Sequence, residues 1–392
     1  MKKEWLIKKV SDNNKSVLER LLEQRGITKP EDVKEFLNPE EFKVISPYAF
    51  CDMKKAIERI EKAISNKEKI LIYGDFDADG ITSTSLLMKT FKALEADVDY
   101  FIPEREKHGH GLNVKALVKV MAARKPKLII TVDCGISNQK EVSQLKAFGI
   151  DVIITDHHEA PDVMPDVVAI INPKAPYKLD ETLSNKQIVS LASLAGVGVA
   201  FKLASAILQE AGKNEFLYEL LPFVALGTIS DIVPLVYENR YLVVKGLELI
   251  SNGTHYGITK LLEQAGYNIE NGVTSEQIAF GVSPRINATG RLDNVDDSVK
   301  VLISENKSEI DLAIMSLNNC NSIRQELCEN TFAEAQSMKQ NKNSIILFNK
   351  DWHVGIIGIV ASKLVETYNK PAFMMTFNEE ANQYRCSARG VI

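Results

Sequence analysis

Residues 69–80 read KILIYGDFDADG, and this stretch decides the fold. The apolar run Ile70–Tyr73, set between a lysine and a glycine, fits a short strand buried on both faces. Asp75, Asp77 and Asp79 follow at alternate positions, and Gly80 allows a tight turn into the helix-like ITSTSLLMKTFKAL. Uncompensated carboxylates this close repel one another. A divalent cation that prefers oxygen ligands, Mg²⁺ or Mn²⁺, is the simplest compensator. A solvated acidic loop is the plain alternative.

The pattern recurs downstream. VDYFIP is a further strand, KLIITVD ends on Asp133, and DVIITD ends on Asp156, which His157 and His158 follow. Amphipathic segments such as LNVKALVKVMAAR and NQKEVSQLKAFG separate these strands. Short apolar strands alternating with helices predict an α/β fold whose parallel sheet is covered on both faces. Ligands in such sheets gather beyond the C-terminal strand ends, where these acids stand. Of two adjacent histidines, one imidazole can ligate a metal while its neighbour orients, donates a proton or contacts a leaving group. Asp231 in GTISDIVPL follows an apolar helix or strand and reads equally well as a helix N-cap. Two metals sharing a bridging carboxylate would explain this inventory, and such a pair activates water for in-line attack on phosphorus. The chain has neither a Gly-x-x-x-x-Gly-Lys-Ser/Thr loop nor a His-Glu-x-x-His motif, which disfavours a P-loop ATPase and a zinc peptidase of that type.

Outward from this core, residues 1–65 read as a charged helical cap, with SVLERLLEQRG, EDVKEFL and MKKAIERIEKAISNK as its helices. Residues 66–250 form the sheet domain, and residues 251–340 a connector with an Arg-rich motif and a long helix. Residues 341–392 open a second α/β unit through SIILF, IIGIVASKLVETYNK and PAFMMTF. In the Arg-rich SPRINATGR stretch, Arg285 and Arg291 flank Asn287. Arginine forks match phosphate geometry, while surface or interdomain ion pairs are the bland alternative. With 392 residues, 47 basic against 52 acidic, the net charge of −5 excludes a polybasic binder but not a local basic groove. Five scattered cysteines without metal or redox spacing fit reduced thiols in a cytoplasmic protein. No apolar run is long enough for a signal peptide or a membrane span.

GDFDADGITS, TVDCGIS, ITDHHE and GTISDIVPL resemble the four motifs of the DHH phosphoesterase superfamily. SPRINATGRLDN and WHVGIIGIVASKLVE narrow the resemblance to its RecJ branch, as do RGITKPEDVKEFLNP and FIPEREKHGHGLN. The resemblance implies a DHH catalytic domain, a helical connector and part of a DHHA1-type domain. It implies one metal on Asp77 and the shared Asp133 with Asp75 nearby, and another on Asp79, Asp133, His157 and Asp231. His158 would assist as a proton donor or from behind the ligands, and Asp156 would support both histidines. Arg105, Arg285, Ser387 and Arg389, with Asn287 and more weakly Arg291, would lie along the bound strand or its 5′ phosphate. Tyr73 stands where many non-nuclease relatives carry a histidine, which favours the nuclease branch.

The implied activity is a 5′→3′ exonuclease specific for single-stranded DNA, using Mn²⁺ or Mg²⁺, two per site. It would act in recombination and repair, as a monomer, beside a single-strand-binding protein and a RecQ-type helicase and away from membranes. The alternatives are a DHH phosphodiesterase acting on short oligoribonucleotides or cyclic dinucleotides, and a silent nucleic-acid-binding member. The latter is disfavoured because every motif carboxylate and both histidines remain. Ser283, Thr289 and Gly390 depart from the usual pattern without removing a charge. RecJ proteins usually continue past the Ser387–Arg389 motif into an OB-type domain, so the stop at Ile392 reads as a truncated chain.

Overall fold

The computed structural model describes residues 15–175, 178–292, 295–338, 343–378 and 382–391. The basic N-terminal stretch and the Asp293-Asn294 end of the Arg-rich motif lie outside these residues. Five strands form the larger sheet: β1 (Ile70–Gly74), β2 (Val98–Phe101), β3 (Leu128–Val132), β4 (Asp151–Thr155) and β5 (Ala169–Ile171). All are parallel, in the order β2-β1-β3-β4-β5. The order reverses between β1 and β3, a topological switch point where connections leave in opposite directions and open a crevice. Gly74 pairs with Val132, and Val132 with Thr155. The next residues are Asp75, Asp133 and Asp156, so register alone lines three acids along one sheet edge.

The sheet is buried on both sides, which explains the continuous apolar strands. Ile70, Ile72, Leu128, Ile130 and Ile153 join one core with the helices Met53–Ser65, Ala78–Ala93, Gly196–Glu210 and Leu217–Ser230. Leu71, Tyr73, Ile129, Val152 and Ile154 face the other way, against Val114–Arg124 and Gln139–Ala147. The sequence reading lacks β5, whose three apolar residues give too short a signal. The loop after β2 contains a short helix, Arg105–His108. Asp231 closes the helix Leu217–Ser230, so it is a C-terminal cap and not the N-cap that its sequence also allowed.

The connector is helical. A wide π-type turn, Ile278–Val282, feeds the helix Ser283–Leu292, which packs on the long helix Lys307–Ser337. Asn306 caps that long helix by accepting from Ser308 and Glu309. The second sheet joins β6 (Ile345–Phe348) to β7 (Ala372–Asn378) in parallel through the helix Val354–Tyr368. β8 (Gln383–Arg389) adds antiparallel to β7. Its largely polar, exposed residues conceal it from a hydrophobic pattern. No single helix among the described residues is long and apolar enough to cross a membrane; Asn185–Ala192 and Gly196–Glu210 qualify only as a pair bent by 112°.

Candidate active site

The acidic loop after β1 is shaped by its own backbone. Asp77 caps the helix Ala78–Ala93, its Oδ1 accepting from the amides of Asp79 and Gly80. Gly80 is required there, because a Cβ would lie 2.4 Å from the carbonyl oxygen of Asp75. Asp79 is fully buried, and the start of the helix Gly196–Glu210 holds it: Gly196 N–H donates to Oδ2 at 2.6 Å and Val197 N–H to Oδ1 at 2.8 Å. Helix N-terminal amides are natural partners for a buried carboxylate. A Cβ on Gly196 would come within 2.7 Å of Asp133 Oδ1.

Asp133 occupies the centre. It is buried and sits at φ +58, a left-handed conformation uncommon outside glycine. His157 Nε2 lies 3.1 Å from its Oδ1, 3.7 Å from Asp231 Oδ2 and 3.8 Å from Asp79 Oδ2. Despite that proximity, Asp133 Oδ1 has no hydrogen-bond partner. Asp156, behind the histidines, accepts from the amides of Ile136, His157 and His158 and bonds His158 Nδ1 at 2.7 Å. The His158 side chain is half exposed.

The electrostatics follow from burying like charges together. Burial, then the charges of Asp79 and Asp77, push Asp133 well above the usual carboxylate range. Burial, then Asp231 and Asp77, do the same to Asp79 despite its two amide donors. Asp77 is raised by burial and by Asp75, and Asp231 is raised to about 6 by burial and by Asp77. Burial lowers His157 to about 4, leaving a neutral imidazole. Its bond to Asp156 raises His158. Burial works to raise Asp156, but the His158 contacts and amide donors leave it lowered on balance.

Three sets of side chains each have ligand atoms within 4.8 Å of one another: Asp75, Asp77 and Asp133; Asp79, His157 and Asp231; and Asp133, His157 and His158. Asp133 and His157 are each shared by two sets. The donors are carboxylate oxygens and imidazole nitrogen, with a buried oxygen left unpartnered, and this fits a hard divalent cation.

The other expected residues fall into separate groups. Arg105 stands over the Phe76 ring at 5.3 Å and lines two cavities. One, of 230 Å³, is also lined by His110, Gly358, Arg385 and Ser387. Arg389 is not among its lining residues, but its guanidinium donates to the Ser387 hydroxyl at 3.2 Å. The other, of 320 Å³, is walled by Arg291, Lys107 and His353. Arg291 also donates to the carbonyl of Gly355, tying the connector to the second sheet unit. Arg285 lines neither cavity, and donates to Asn318 Oδ1 and the Gly281 carbonyl. Asn287 accepts from Ala78 N–H at 2.8 Å, so its oxygen braces the acidic loop.

The N-terminal-domain pattern of the DHH family matches residues 69–228. A crystal structure of exonuclease RecJ bound to manganese superposes with a TM-score of 0.75 and 31% identity, over 85% of this chain and 82% of that one. The chain belongs to the RecJ family. RecJ of Bacillus subtilis is 39% identical over 378 residues, covering 95% of this chain and 46% of the relative. RecJ of Haemophilus influenzae is 36% identical, with 94% and 65% covered. Thermus thermophilus RecJ in complex with Mn²⁺ gives a TM-score of 0.76 at 29% identity, over 92% of this chain and 50% of that one. The chain therefore spans about half the length of the Bacillus subtilis RecJ.

Several participants escaped the sequence reading of this RecJ-family chain. Gly196 and Val197 act through backbone amides, and only the Gly-Val-Gly start of an apolar helix hints at them. Arg385 lies two residues before Ser387, on the same face of β8, and period-2 spacing could have found it.

Proposed function

We propose that the chain is a divalent-metal-dependent exonuclease that hydrolyses single-stranded DNA from its 5′ end to 5′-mononucleotides. One observation carries this reading: the buried Oδ1 of Asp133, which accepts no hydrogen bond, stands between two groups of ligand-bearing side chains at the switch point of the sheet. Asp75, Asp77 and Asp133 would hold one ion, and Asp79, His157, Asp231 and the shared Asp133 the other. Two Mn²⁺ or Mg²⁺ ions bound there supply water of lowered pKa and neutralise charge on the attacked phosphate. RecJ structures with Mn²⁺ and with Mg²⁺ among the similar folds support the choice of ion.

The remaining steps belong to the chain's own groups. Asp156 holds the His158 ring, and the raised affinity of that ring for a proton suits donation to a leaving 3′ oxygen. Arg105, Arg385 and Ser387 line the 230 Å³ cavity, with Arg389 bonded to Ser387 beside it, and its size and cationic lining suit a terminal 5′ phosphate. A 5′ end seated in that cavity would leave the next phosphodiester at the acids beside it, which gives 5′→3′ polarity. A cleft too narrow for a duplex would give strand selectivity. The curated RecJ relatives, described as single-stranded-DNA-specific, support the same substrate. The family resemblance supports action in recombination and repair beside a single-strand-binding protein and a RecQ-type helicase. All five cysteines are free, which fits a cytoplasmic enzyme.

The test uses single-stranded and duplex DNA labelled at either end, with Mn²⁺, comparing the parent with Asp133→Ala. Label should leave the 5′ end of single strands first, and the variant should be inert. Release first from the 3′ end, or equal cleavage of duplex, contradicts the strand and direction assignment. Undiminished activity of the variant contradicts the metal assignment.

A further inference from the structure

Tyr73 is the penultimate residue of β1 and fully buried, in the core on the face opposite the helix Ala78–Ala93. Phenylalanine would fill that core as well, and a buried hydroxyl is costly unless bonded. This hydroxyl spends its capacity on a single segment. It donates to the Gly111 carbonyl at 2.9 Å and accepts from Asn113 N–H at 3.0 Å. Asn138 grips the same segment, its Oδ1 accepting from Leu112 N–H at 2.9 Å. Gly111, at φ +79, allows the close fit, since a Cβ there would lie 2.7 Å from Asn138 Oδ1. The bonds continue outward. Asn113 Nδ2 donates to the His108 carbonyl at 2.9 Å, and His108 Nδ1 accepts from Glu104 N–H at 3.0 Å.

The tethered segment carries part of the cavity wall. Arg105 and His110 both pack on Phe76, the latter with ring centroids 4.6 Å apart, and both line the 230 Å³ cavity. β1 therefore does two jobs. It ends at Asp75 in the acid cluster, and through Tyr73 it anchors the loop that faces the cavity.

We propose that Tyr73 is a positioning residue: its hydroxyl ties the loop 104–113 to β1 and so holds Arg105 and His110 at a fixed reach from the acid cluster, in register with a terminal 5′ phosphate. This rests on the reading of the cavity as the 5′-phosphate site. Untied, the loop keeps its sequence and charge but samples other positions, so recognition of the phosphate weakens, while the acid cluster keeps its own bonds and feels the change through the 3.5 Å contact of His110 Nδ1 with Asp75 Oδ2.

Tyr73→Phe in the full chain tests this with single-stranded oligodeoxynucleotides ending in 5′ phosphate or 5′ hydroxyl. KM for the phosphorylated strand should rise about tenfold, the effect of losing one to two hydrogen bonds' worth of ordering. kcat and the KM of the hydroxyl strand should stay within about twofold, a difference too small to signal a lost contact. Asn138→Ala, which loosens the same loop from the other side, should show the same split. A parent that discriminates between the two ends, with a Tyr73→Phe variant that discriminates equally, overturns the role of Tyr73 alone. A fall in kcat on both strands without the KM split also overturns it, since that is the mark of general damage. A parent indifferent to the 5′ group overturns the reading of the cavity itself.

Discussion

Asp133 concentrates the strain of this site in one residue. Its backbone is left-handed at φ +58, its carboxylate is buried, and neighbouring acids crowd it. Ile232, directly after Asp231, is also held at φ +60. Strained backbone of this kind persists where the surroundings over-determine it, and it gathers at functional sites. Burial, then the charges of Asp79 and Asp77, raise the proton affinity of Asp133, so its charged form opposes folding in the metal-free protein. Stability from such a group is fully present below the unfolded pKa and is lost as pH rises through the folded value. Asp133→Asn should therefore raise the melting temperature of metal-free protein at pH 7.5, by several degrees if the relief is about 1–2 kcal/mol. The same change should lower the proposed nuclease activity by about a hundredfold or more, since even groups that merely support a metal ligand cost up to that much when removed. Differential scanning calorimetry in a chelator checks the first outcome; a destabilised variant would mean that the acids are not in conflict.

At the scale of elements, the site is built where the end of a strand meets the start of a helix. β1, β3 and β4 deliver acids in register, and the helix Gly196–Glu210 delivers two amides to Asp79. Gly196→Ala should break this junction, because the added methyl lies 2.7 Å from both Cβ and Oδ1 of Asp133. Overpacking of that kind costs about 1–3 kcal/mol, so the variant should fold yet bind Mn²⁺ weakly and cleave slowly. Circular dichroism and an activity assay separate the two effects; normal activity would show that the helix start is not needed to shape the cluster. The strand-end acids were legible in the sequence because short apolar runs and alternating helices fix where a parallel sheet ends. The amides of Gly196 and Val197 were not, since any residue offers an amide and only the fold aims it. Asn287 was legible as part of a motif, but its bond to Ala78 spans 209 positions, which no local pattern reveals. β5 and β8 were hidden for opposite reasons, one too short and the other too polar.

At the scale of the whole molecule, helices from distant parts of the chain lock around buried polar groups, and pH should disclose one of them. His255 caps the helix Tyr256–Gln264 through Nδ1, while its Nε2 meets the Leu302 carbonyl at 2.9 Å. Burial lowers it to about 4. A histidine lowered on folding leaves stability intact above its unfolded value near 6.5 and erodes it as pH falls toward 4. That window spans about 3 kcal/mol for the fully neutral site. Urea unfolding at pH 7.5 and 5 should show the loss in the parent and a shallower one in His255→Asn, which can still cap the helix. Equal slopes would contradict the assignment. The central claim concerns the acid cluster, and titration calorimetry with Mn²⁺ tests it most directly. The parent should bind roughly two ions per chain, as a bridged two-metal site requires. Asp133→Ala should weaken both together, because the shared carboxylate serves both. Binding of Mn²⁺ by the variant with the parent's stoichiometry and affinity would contradict the account.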